Sequence, residues 1–130
     1  MAAAATSTMT ADEVKVLVVD DVADELEPLA TALRLDGYTV WTAPDGQRAL
    51  DIVAGQLPHC VILDVNMPGF DGRQLSRRLR DEHGDDIVLI AVTGRDRADP
   101  RVTEVFGTVD HYLMKPIDQA ALRKVLPRLG

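Results

Sequence analysis

The amino-acid sequence predicts an α/β fold, a doubly wound sandwich in which a strand–helix unit repeats five times around a five-stranded parallel sheet. Three observations carry that expectation. Five short runs, 14–19, 38–42, 60–63, 87–92 and 112–114, have strand length, and four are near-continuously apolar, as strands buried on both faces are. The intervals between them carry helical periodicity, so each strand returns to a parallel neighbour through a helix. Hydrophobic residues make up 46% of the 130 while aromatics are only 4%, so the core must be mainly aliphatic.

Run 14–19 opens the sheet. After it, Leu26, Leu29, Ala30 and Leu33 follow i, i+3, i+4, i+7, with Asp24 as expected cap, Pro28 near the first turn and Gly37 as left-handed stop. In run 38–42, Thr39 and Thr42 interrupt the apolar residues, which places this strand at a sheet edge. Ala49, Leu50, Ile52 and Val53 form a second helix before Gly55. The turn residues Met67-Pro68-Gly69 and Asp71-Gly72 separate the third run from a helix with Leu75 and Leu79 on one face. Arg73, Arg77, Arg78 and Arg80 occupy its other face. Asp99-Pro100 reads as cap and first residue of a two-turn fourth helix ending near 106–107. Asp118 caps the last helix, which presents Ala121, Leu122, Val125 and Leu126 and ends or bends at Pro127.

Composition narrows the function classes. Lys plus Arg total 14 and Asp plus Glu 21, a net charge of −7, which disfavours direct contact with nucleic acid. The single cysteine, Cys60, excludes a disulfide framework and fits a reducing, cytoplasmic setting. No apolar run approaches the ~20 residues that cross a bilayer, and the N-terminus lacks the pattern of a signal peptide. Residues 1–12, rich in Ala and Thr, are expected to form a disordered tail before one domain over 13–130.

Ligands of such sheets sit beyond the carboxyl ends of the strands. There the sequence places Asp20-Asp21 after the first strand, Asp64 after the third, Thr93 after the fourth and Lys115 after the fifth. Each has an ordinary alternative: a cap or turn for the Asp pair, a loop carboxylate, a strand-ending hydroxyl, a solvated lysine. Together they read differently. Three converging carboxylates repel one another unless a proton or cation compensates, and an all-oxygen set suits Mg²⁺. A lysine and a hydroxyl opposite would hold a second anion, so the pocket suits a phosphoryl group on Mg²⁺.

VLVVDD (16–21), ILDVNMPGFDG (62–72), IAVTG (90–94) and YLMKPID (112–118) resemble the receiver domain of bacterial two-component response regulators, over nearly the whole chain outside the tail. The resemblance implies a flavodoxin-like fold with strand order 2-1-3-4-5 and a phosphorylation-controlled switch rather than a conventional enzyme, although such a module assists its own phosphorylation and dephosphorylation. It implies that Asp64 accepts a phosphoryl group from a phosphohistidine of a sensor histidine kinase or histidine phosphotransfer protein. Asp21 would ligate Mg²⁺, Asp20 would position a metal-bound water, and Asn66 would offer its backbone carbonyl. Lys115 would pair with Asp64 and then with the phosphoryl group, ahead of a cis bond to Pro116. Thr93 and Tyr112 would be the switch pair, altering the face of the fourth helix, fifth strand and fifth helix for a downstream protein target. Pro68 and Gly72 would shape the acceptor loop.

Two positions depart from the family pattern. Thr108 stands where glycine is common, which predicts a rearranged turn, and Arg95 lies two residues beyond Thr93, where the residue influences acyl-phosphate lifetime. His59, His83 and His111 lack companions at ligand spacing, and Cys60 reads as a core residue. With nothing resembling a DNA-binding region after the last helix, the output is expected to be protein contact or phosphoryl relay. Alternatives are a receiver cut from a larger hybrid kinase or regulator, and a Mg²⁺-dependent phosphatase of the haloacid dehalogenase type. The latter needs Asp-x-Asp after the first strand, whereas Asp20 and Asp21 are adjacent. A flavin-binding domain would need a Ser/Thr/Gly-rich loop there.

Overall fold

The computed structural model describes residues 14–65, 72–94 and 107–127. Five strands, β1 (Lys15–Val19), β2 (Thr39–Ala43), β3 (Cys60–Asp64), β4 (Val88–Thr93) and β5 (His111–Met114), form one parallel sheet in the order β2-β1-β3-β4-β5. The helices described are α1 (Ala23–Leu35), α2 (Gly46–Gln56), α3 (Gly72–His83) and α4 (Gln119–Val125), with a 3₁₀ turn over Gly84–Asp86. The doubly wound α/β expectation and its strand order are met, with the Thr-interrupted β2 at an edge. The fourth helix expected near 99–107, the tail 1–12, Asn66, Pro68 and Arg95 lie outside the described residues, so α4 is the fifth helix of the sequence reading.

Alternation along the strands builds two aliphatic layers. Val16, Val18, Cys60, Ile62, Ile90 and Val92 point to one face, where Leu26, Ala30 and Leu33 of α1 and Leu122 of α4 cover them. Leu17, Val19, Val61, Leu63 and Leu89 point to the other, beneath Ala49 and Val53 of α2 and Leu75 and Leu79 of α3. Each fully buried Leu or Val contributes about 1.5–3 kcal/mol by leaving water. Two covered faces hold the central strands rigidly, and their carboxyl ends inherit that rigidity.

Several local expectations need correction. Asp24 does not cap α1; Val22 is the N-cap, without a side-chain cap bond. Its N–H instead donates to the Asp20 carboxylate at 2.9 Å, so the residue before the helix takes the capping geometry. Asp24 lies within the first turn, where its charge favours the helix dipole. With the start at Ala23, Pro28 falls inside the helix rather than at its first turn, removing one N–H donor from the interior.

Gly55 does not end α2 either. The helix runs on to Gln56, and Leu57 takes the left-handed cap with φ +49°, its N–H donating to the Val53 carbonyl. Gly37, with φ +107°, turns the chain out of α1 as expected. Asp118 also caps α4 as expected, accepting from the Ala120 N–H at 3.0 Å. The third and fourth strands extend one residue further than their apolar runs, to Asp64 and Thr93, because ladder hydrogen bonds continue past the last apolar side chain.

Candidate functional site

The carboxyl ends of β1, β3, β4 and β5 gather the expected residues along one edge. Asp20 follows β1, Asp64 closes β3, Thr93 closes β4 and Lys115 follows β5. Ladder contacts fix these ends. The Asp20 N–H donates to the Ala43 carbonyl at 3.1 Å, Val65 N–H to Val92 at 3.0 Å and Lys115 N–H to Thr93 at 2.8 Å. Asp20, Asp64 and Thr93 are buried, and Asp21 is exposed. The peptide between Lys115 and Pro116 is cis.

Carboxylate oxygens of Asp20, Asp21 and Asp64 lie within 4.8 Å of one another. Lys115 reaches into this group: its Nζ donates to Asp64 Oδ2 at 3.2 Å and stands 3.6 Å from Asp20 Oδ2. A third acid, unnoticed in the sequence, sits closer still, with Glu25 Oε2 on the first turn of α1 accepting from Nζ at 3.0 Å. Locally Glu25 is an ordinary acid in a first helical turn, and only the return of Lys115, 90 residues later, gives it a partner at the site.

Electrostatics follow from that crowding. Burial, reinforced by the neighbouring Asp64 charge, pushes the Asp20 carboxyl up to about 6, against the Val22 N–H and Lys115, which act downward. Lys115 is held above the usual lysine range: burial acts downward, but the Glu25 hydrogen bond and the charges of Asp64 and Asp20 outweigh it. Three carboxylates, Asp20, Asp64 and Glu25, thus share one ammonium, with Asp21 beside the first two. An all-oxygen donor set with uncompensated negative charge, one member forced toward protonation, fits a hard divalent cation such as Mg²⁺. Asp20, Asp21 and Asp64 are the residues that could hold it.

Beside these groups a cleft of about 290 Å³ opens between α1 and the segment after β5. Leu29, Ile62, Val92 and Ile117 line its apolar side. Tyr112 is half-buried against the small cluster of Val65 and Ala91. Gly72, the first residue of α3, presses on the end of β3: a Cβ there would stand 2.7 Å from Val65 Cα and would also overlap the Asp64 carbonyl oxygen. The third helix can start directly against β3 only because this residue has no side chain.

The turn at Thr108 is stitched to α3. Ser76, fully buried, shares a 2.9 Å hydrogen bond with the Thr108 hydroxyl, while Arg80 Nε donates to the Thr108 carbonyl at 2.9 Å and its NH2 to Asp110 Oδ2 at 2.9 Å. The Asp110 carboxylate also accepts the Leu89 N–H at 2.8 Å. Arg80, which the sequence places with Arg73, Arg77 and Arg78 on the face opposite Leu75 and Leu79, has a side chain only 20% exposed and fastens the chain leading into β5. His59, expected to be non-functional, has a structural task, accepting the Lys15 N–H on Nδ1 at 3.0 Å. Cys60 is buried, and burial pushes its thiol far above the ordinary range. No described helix is long and apolar enough to cross a membrane.

Known proteins share both the sequence pattern and the architecture. The family described as response regulator receiver domain matches residues 16–127. The response regulator MprA of Mycolicibacterium vanbaalenii is 41% identical over 116 residues, which are 89% of this chain and 48% of that protein. MprA of Mycobacterium tuberculosis strain H37Ra is 40% identical over the same share of this chain and 49% of its own. The chain therefore spans about half the length of the curated relatives it matches. Among solved structures, the Vibrio cholerae chemotaxis protein CheY4 superposes with a TM-score of 0.78 at 27% identity, covering 88% of this chain and 99% of that one. A response regulator receiver domain protein from Clostridium thermocellum gives 0.78 at 26% identity, covering 85% and 89%. A matched stretch that takes in the five strands, Lys15 excepted, and every acid of the cluster leaves one assignment: the chain belongs to the response regulator receiver domains of two-component signalling.

Proposed function

We propose that Asp64 accepts a phosphoryl group from the phosphohistidine of a sensor histidine kinase or a histidine phosphotransfer protein, and that the resulting acyl phosphate changes the surface used by a downstream partner. One observation carries the reading: the buried Asp64 carboxylate lies within a three-carboxylate cluster and is held by the Lys115 ammonium at 3.2 Å. A carboxylate oxygen of Asp64 attacks phosphorus, the P–N bond to the donor imidazole breaks, and the imidazole leaves with its electron pair. Bound Mg²⁺ would supply charge withdrawal from the transferring oxygens. Asp20 and Asp21, with Asp64, would hold that ion, and the Asn66 carbonyl, outside the described residues, would complete the protein's share.

Lys115 turns from the Asp64 carboxylate to the new phosphoryl oxygens. The Thr93 hydroxyl moves to bond them, and Tyr112 follows into the space released beside Val65 and Ala91. New oxygens and charge bias a two-state equilibrium in this way without large displacement. The altered face would comprise β5, α4 and the stretch before β5 for which the sequence predicts a helix. This domain acts as a phosphoacceptor module in the cytoplasm, and its net charge of −7 argues against nucleic acid as its own direct partner.

A second reading has a specific observation behind it. Because the chain spans about half the length of the MprA proteins, it would serve as the receiver module of a longer regulator, with its output passed to an attached domain. The match over 99% of CheY4 fits a whole receiver domain under either reading. Protein incubated with Mg²⁺ and acetyl phosphate, then weighed intact, should gain one labile phosphoryl group that Asp64→Ala does not gain. An unmodified wild type with acetyl phosphate and with phosphorylated kinase would overturn the proposal.

A further inference from the structure

We infer that Glu25 is a positioning residue acting through Lys115: it takes a share of the ammonium that Asp64, and later the phosphoryl group, would otherwise hold alone. This rests on the phosphoryl-binding role given to Lys115 above. The geometry is direct. Among the described residues Glu25 Oε2 is the nearest carboxylate to Nζ, at 3.0 Å, ahead of Asp64 at 3.2 Å and Asp20 at 3.6 Å. Two of these acids belong to the strand ends and cannot move far, whereas Glu25 sits on the exposed first turn of α1 with its side chain 42% exposed. Glu25 also lines the cleft that holds Asp20, Asp64 and Lys115, so it faces the same space as the incoming anion.

The consequence has one sign. In the resting state Glu25 draws the ammonium toward α1 and loosens its hold on Asp64. Once an anion occupies the site, Lys115 either divides its N–H donors between that anion and Glu25 or releases Glu25, and either course weakens anion binding. A partly exposed carboxylate–ammonium pair is worth a fraction of a kcal/mol, so the effect is a tuning of affinity, about threefold, which is about 0.65 kcal/mol.

The test uses beryllofluoride with Mg²⁺ as a phosphoryl mimic, titrated calorimetrically against the whole chain. Glu25→Gln should bind it about threefold tighter than wild type. Glu25→Asp keeps the charge but is one methylene too short to reach Nζ, and should behave like the Gln variant. On a Lys115→Met background, Glu25→Gln should change nothing. Unchanged affinity in Glu25→Gln, wild-type behaviour in Glu25→Asp, or an undiminished effect without Lys115 would each overturn the inference. A wild type that binds no beryllofluoride would instead overturn the phosphoryl reading. The pair itself is then judged by the NMR resonance of the Lys115 side-chain ammonium, which Glu25→Gln must shift.

Discussion

Replacing Gly72 with alanine isolates the contact between the third helix and the end of β3. At an unobstructed helical position the substitution stabilises by about 1 kcal/mol, since alanine is the better helix former. Here the added Cβ would stand 2.7 Å from Val65 Cα and 3.0 Å from Leu63 Cδ1, and would overlap the Asp64 carbonyl oxygen. Two of these three atoms are backbone, and Val65 is tied to β4 through its N–H to the Val92 carbonyl, so no rotamer change relieves the overlap. Overpacking costs about 1–3 kcal/mol, and backbone obstruction puts this case at the upper end. The net loss is therefore about 2 kcal/mol, which lowers Tm by roughly 8 °C in a domain of this size. Urea unfolding should show a lower midpoint with an unchanged slope, and phosphorylation by acetyl phosphate should slow because the displaced peptide carries Asp64. A variant as stable as wild type, or more stable, would show that helix propensity governs the position and that the close approach is not a constraint.

Three further outcomes follow from the hydrogen bonds and charges. Asp110 is held below the ordinary carboxylate range: burial acts upward, but the Leu89 N–H and the Arg80 guanidinium outweigh it. Its contribution is therefore present above the unfolded value of about 3.9 and is lost as pH falls through the lower folded value. Asp110→Asn should cost about 1 kcal/mol in urea at neutral pH, a figure reduced for the exposure of the pair, and close to nothing in acid. Asp20 has the opposite sign. Its folded value near 6 lies above the unfolded one, so the stability it gives at low pH is lost as pH rises toward neutrality. Without Mg²⁺, Asp20→Asn should raise stability at neutral pH by about 2 kcal/mol, while the stabilisation produced by adding Mg²⁺ shrinks; destabilisation of the metal-free protein would contradict the crowding argument. Ser76→Ala should cost about 1 kcal/mol by thermal melt, and much less on a Thr108→Ala background, because the two hydroxyls share one hydrogen bond.

The sheet was legible because its signal is redundant. Aliphatic runs such as VLVV and VIL bury both faces, and the threonines of β2 announce an edge. The site was legible for a related reason: parallel strands bring their carboxyl ends together, so Asp20, Asp64, Thr93 and Lys115 needed only strand assignments to be gathered. What escaped was information carried by cross-chain geometry. Arg80 looks like its neighbours Arg77 and Arg78 until the chain at 108–110 returns beneath it. Thr108 reads as a departure until Ser76 is seen to face it. Leu57 in a left-handed cap defies local preference, and a nearby glycine at 55 drew the helix end two residues early. Glu25 reads as an ordinary first-turn acid until Lys115, 90 residues on, returns beside it.

The central claim is that Asp64, among the three clustered aspartates, becomes covalently phosphorylated. Borohydride reduction of the acetyl-phosphate-treated protein, followed by peptide mass spectrometry, converts an acyl phosphate into a stable alcohol at the modified position. The account predicts that the reduced residue is 64, only in samples containing Mg²⁺. Reduction at position 20 or 21, or none in a protein that has gained a phosphoryl group, would contradict it.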